Sequence, residues 1–95
     1  MSNVLRVAIV DPSDSTRASL KNLLLGMDSI WLEAECSRYE FFSDVVSQTT
    51  PDIGIVVVDQ GPQKALQMIG EISRTRPECS ILVISSSTDS QLILQ

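Results

Sequence analysis

Asp11, Asp59 and Ser85 each stand at the end of an apolar run. Leu5-Arg6-Val7-Ala8-Ile9-Val10 leads into Asp11, Ile53-Gly54-Ile55-Val56-Val57-Val58 into Asp59, and Ile81-Leu82-Val83-Ile84 into Ser85. A carboxylate is a competent nucleophile for group transfer, and carboxylates brought together hold hard divalent cations through oxygen. Two acids and a hydroxyl at one edge would therefore make a small acidic pocket. A plainer reading stands beside this one. Aspartates after strands often accept loop N–H groups or cap helices, and Ser85 opens a Ser85-Ser86-Ser87 turn.

The pocket exists only if the three runs are neighbouring parallel strands. Buried parallel strands read as near-continuous apolar stretches, and the segments between these runs read as helices. Ser13 or Asp14 can cap a helix carrying Leu20, Leu23, Leu24 and Met27 at helical spacing, which ends near Gly26 and Asp28. Tyr39 to Gln48 reads as a short helix with Phe42, Val45 and Val46 on one face. Ala65, Met68, Ile69 and Ile72 form a third stripe, stopped before Pro77. Between the first two helices Ile30 to Cys36 alternates, which predicts a half-exposed edge strand with Ile30, Leu32, Ala34 and Cys36 facing one way. Trp31 on its other side would mark a partner surface or be covered by a neighbouring helix. Gly54 either weakens its strand or admits a close-packed helix. Ser90 to Gln95 reads as the start of a fourth helix.

The pattern βαβαβαβ implies a parallel sheet with right-handed crossovers. With the half-exposed strand at the edge, the order is 2-1-3-4. This is an α/β, flavodoxin-like three-layer sandwich, in which ligands bind beyond the carboxyl ends of the strands.

Composition narrows the chemistry. The 95 residues suffice for one domain with a single core. A net charge of -5 argues against direct nucleic-acid binding. No apolar run is long enough to span a bilayer, and Met1-Ser2-Asn3 leads into the first strand without a basic n-region or cleavage site. A cytoplasmic domain is expected. The chain has no histidine, which removes Ser-His-Asp and Cys-His nucleophile systems and histidine phosphodonation. Cys36 and Cys79 form no CxxC and read as buried thiols. Neither GxGxxG nor GxxxxGK[ST] follows the first strand, so the usual dinucleotide and P-loop readings lack support.

Three segments, Val7-Ala8-Ile9-Val10-Asp11, Pro51-Asp52 through Val58-Asp59, and Ile81-Leu82-Val83-Ile84-Ser85-Ser86, give the chain a resemblance to the CheY-like receiver domain of bacterial two-component response regulators. The resemblance covers residues 1–95, about the first three-quarters of a complete receiver, with the fifth strand and helix absent. It implies that Asp59 is the phosphoacceptor for a sensor kinase and that Ser85 is the switch hydroxyl. It further implies that Asp11, Asp59 and the backbone carbonyl of Gly61 hold Mg²⁺. The sequence also departs from the family. Pro12 stands where a second acidic metal ligand is usual, the loop after Asp59 is shorter, and the family's lysine after strand five would lie beyond Gln95. The resemblance therefore implies an atypical, non-enzymatic receiver-like domain with weak or absent Mg²⁺ binding. It would act through protein–protein contacts with a signalling partner; the alternative is a working Asp59 phosphoacceptor in a phosphorelay. A chain ending at Gln95 would leave strand four as an open apolar edge, so a homodimer is expected. A flavodoxin-like enzyme or cofactor binder is a further reading, supported by the fold alone.

Overall fold

The computed structural model describes residues 4–85 and 93–94. The elements follow the predicted alternation: β1 (Leu5–Val10), α1 (Asp14–Leu25), β2 (Ile30–Cys36), α2 (Tyr39–Thr49), β3 (Ile53–Val57), α3 (Pro62–Thr75), β4 (Ser80–Ile84) and β5 (Ile93–Leu94). The first four strands are parallel, in the order β2-β1-β3-β4. On one face Ala8, Val10 and Val56 pack with Phe42 and Val46 of α2 and Ala65, Met68 and Ile72 of α3. On the other, Val7, Ile9 and Ile55 pack with Leu24 of α1. The result is the three-layer arrangement expected, with the ends of β1, β3 and β4 along one edge.

Several sequence expectations change. In the α1 stripe only Leu24 is buried, Leu23 and Met27 being 65% and 47% exposed, and Cys36 is half-buried. β2 does not alternate cleanly: its register to β1 passes from Val7↔Leu32 to Ala8↔Ala34, so Glu33 is an extra residue. A bulge of this kind moves every later side chain to the opposite face. Ile30 and Leu32 therefore pack on the α1 side, and Ala34 and Cys36 on the α2–α3 side. Trp31 is 61% exposed, so no neighbouring helix covers it. Ile93–Leu94 are extended and pair antiparallel with Leu82 and Val83, which rules out a helix at those two residues and gives β4 a short outer neighbour. The rest of the segment expected to form a helix lies outside the described residues.

Arg6 secures the end of the sheet away from the three strand-end residues. Its guanidinium donates to the carbonyls of Thr49 and, at 3.1 Å, Thr50, and so caps the C-terminus of α2. The same group donates to Glu33 at 3.0 Å. Its amide donates to the Asp52 carboxylate at 2.9 Å, and the Asp52 amide donates back to the Arg6 carbonyl at 2.8 Å.

Gly54 is where α2 reaches the sheet. A β-carbon there would lie 3.2 Å from Ile81 Cδ1 and 3.4 Å from Phe42 Cε2. Close helix approach, and not strand weakening, is what this glycine provides. Gly54→Val should destabilise the domain by about 1–3 kcal/mol through overpacking, measured as a lower urea midpoint at unchanged m-value.

Candidate functional site

Asp59 and Ser85 meet at the edge. Asp59 lies two residues past β3, exposed to solvent, and Ser85 directly follows β4. Parallel pairing of these strands sets Val57 beside Ile84, and the Val58 amide continues the ladder by donating to the Ile84 carbonyl at 3.0 Å. That register brings the Ser85 hydroxyl within 3.2 Å of Asp59 Oδ1, to which it donates.

Asp11 is placed differently. It is fully buried, and both carboxylate oxygens already have donors. Oδ1 accepts the Ser13 amide at 3.0 Å, and Oδ2 accepts the Thr16 hydroxyl. Pro12 has no N–H to offer, so the first amide within reach is that of Ser13. The Asp11 carbonyl accepts Arg17 Nη1 at 2.8 Å. Ser13 is the N-cap of α1, its hydroxyl accepting from the Thr16 amide. Asp14 points outward and pairs with Arg17 at 2.7 Å. Arg17 and Lys21 also bridge to Glu35 of β2, at 3.4 and 2.8 Å. Lys21 foremost, with Arg17, holds the Glu35 carboxyl below its ordinary range.

These observations test the implied Mg²⁺ site. Asp11 is committed to the start of α1, Pro12 brings no ligand, and the Gly61 carbonyl accepts the Ala65 amide at 2.9 Å in the first turn of α3. Among the described residues no group of three acidic, histidine or cysteine side chains is placed to hold a metal ion. The residues present do not fit the cation.

Tyr39 is the site residue that sequence reasoning missed. It opens α2 and is buried, with its hydroxyl donating to the Val57 carbonyl, two residues before Asp59. Its ring underlies Gly61, where a β-carbon would lie 3.3 Å from Tyr39 Cε2. Burial, first, raises its pKa above the ordinary 10.0; a backbone contact with Gln60 opposes this, and the charges of Asp11 and Asp59 add to the rise. The available signal was its phase with Phe42 and Val46, which marks the core face of α2.

No protein-family model and no curated protein sequence matches the chain. Solved structures do. The isolated receiver domain of RcsB from Salmonella enterica serovar Typhimurium, determined in the presence of phosphomimetic BeF₃⁻, superposes with a TM-score of 0.80 at 16% identity, covering 90% of this chain and 64% of that one. The fold is that of a response-regulator receiver domain. The signal receiver domain of the response regulator NarL from Mycobacterium tuberculosis gives 0.80 at 15% identity, over 90% of this chain and 68% of that one. The response regulator domain of CheB from Thermotoga maritima gives 0.78 at 18%, over 87% and 61%. The chain thus spans 64% of the length of the RcsB receiver. No helix among its described residues is long and apolar enough to cross a membrane.

Two outcomes follow for this receiver fold. Thr16→Val removes one donor from the buried Asp11 carboxylate and should cost about 1–3 kcal/mol in urea unfolding. Tyr39 is the chain's one tyrosine. Because its folded pKa is raised, its stabilising contribution is complete below pH 10.0 and is lost as pH rises from there through the folded value. Ultraviolet titration of the phenolate should track alkaline unfolding, and Tyr39→Phe should remove that pH-dependent component.

Proposed function

We propose that residues 1–95 act as a receiver-like signalling module that works through protein–protein contacts without efficient phosphorylation. The observation that carries this reading is the state of Asp11: buried, with both oxygens taken by Ser13 and Thr16. A receiver that transfers phosphoryl groups needs positive charge beside its acceptor, and the residues here do not assemble a cation site. Its partner would be a sensor kinase or another signalling protein in the cytoplasm, met through surface chemistry.

A second reading rests on the 3.2 Å contact between Ser85 and the exposed Asp59. In it, an Asp59 oxygen attacks the phosphorus of a phosphodonor. The acyl phosphate bond forms as the bond to the leaving group breaks, and the Ser85 hydroxyl turns to a phosphoryl oxygen. Incubating the full chain with acetyl phosphate and Mg²⁺, followed by intact mass measurement, separates the two. The expected result is no appreciable phosphoryl adduct. An adduct that forms readily and is lost in Asp59→Asn would establish the second reading.

A further inference from the structure

Between α2 and α3 runs a groove of about 440 Å³. Tyr39 and Met68, both largely buried, give it an apolar floor. Its α3 wall is the single stripe formed by Lys64, Gln67, Met68, Glu71 and Arg74, spaced at i, i+3, i+4, i+7 and i+10. Glu40 of α2 closes the near end and is paired with Arg38 at 3.8 Å.

The charges of this groove differ from those on the rest of the surface. The chain has seven basic residues. Arg6, Arg17, Lys21, Arg38 and Arg76 are all in ion pairs. Lys64 and Arg74 are in none among the described residues, and both line the groove. Among the described residues, a chain of net charge -5 thus holds two cations outside any ion pair beside one apolar floor, with Glu71 between them. Ten helical residues separate them, about 15 Å along the axis, which an extended chain covers in about five residues.

We infer that the groove receives an extended acidic segment of a partner protein, with one apolar side chain on Met68 and Tyr39 and carboxylates reaching Lys64 and Arg74. Gln67 and Glu71, between the cations, offer acceptors to the segment's backbone N–H groups. Charge complementarity selects this occupant: the floor takes an apolar group, and among the groove side chains that form no ion pair with the described residues, the two cations Lys64 and Arg74 outnumber the one acid, Glu71. Occupancy is felt at Asp59 because Tyr39 belongs to both places: it lines the groove, and its hydroxyl donates to the Val57 carbonyl. The inference does not depend on Asp59 being phosphorylated.

The test is a titration of the ¹⁵N-labelled full chain with a capped pentapeptide, a central leucine flanked by glutamates, and with the same peptide carrying lysines instead. The acidic peptide should give saturable shifts at Tyr39, Lys64, Met68 and Arg74, and smaller ones at Asp59, Gln60 and Gly61. The basic peptide should give none. Lys64→Glu combined with Arg74→Glu, at surface positions where a melt checks folding, should weaken binding by about tenfold or more. In Tyr39→Phe the groove shifts should persist while those of the Asp59 loop disappear. Equal binding of both peptides, no saturable shift with either, or groove shifts that follow protein concentration alone and so mark a second copy as the occupant, would overturn the inference.

Discussion

A carboxylate with no access to water must have donors inside the protein, and Asp11 imposes that constraint on this domain. It ends β1, the strand flanked by β2 and β3. Pro12 removes the nearest amide, so the satisfied geometry bends the chain to present the Ser13 amide and starts a helix that carries the Thr16 hydroxyl to the second oxygen. The start of α1 is thereby fixed. From it Arg17 reaches the Asp11 carbonyl and Glu35, tying helix to edge strand. A residue that resembles a metal ligand in sequence has become the joint between the central strand and the first helix.

The opposite end of β1 is organised by a charge of the other sign. Arg6 neutralises the C-terminal carbonyls of α2, where the helix dipole favours a cation. The same strand therefore orients the two helices that flank the site, one through an acid and one through a base. Between these joints, Asp59 and Ser85 take their places from the β3–β4 register alone.

Much of this was legible in the sequence. The apolar runs, the three helical stripes and the half-exposed second strand gave the layers and the strand order, and Asp59 and Ser85 could be matched by position because each directly follows such a run. What was illegible depends on contacts that period and position do not encode. The extra residue at Glu33 leaves composition unchanged yet reverses the facing of Ala34 and Cys36. The commitment of Asp11 depends on a hydroxyl five residues on, which comes within reach only after α1 has formed. Tyr39 showed the right phase for the core, but its polar partner lies 18 residues away on β3. Trp31 stays exposed because an edge position says nothing about whether a helix will lie over it.

α2 is held unequally at its two ends. Arg6 grips the last carbonyls, and Phe42 is seated against Gly54. At the first turn the N-cap is Arg38, which contributes no side-chain cap bond, and the Tyr39 hydroxyl is the polar tie to β3. The helix is thus capped by Arg6 at Thr49–Thr50 and tied beside the Asp59 loop by the Tyr39 hydroxyl. A change at the first turn of α2 would therefore reach the Asp59 loop through the Tyr39 hydroxyl and the Val57 carbonyl.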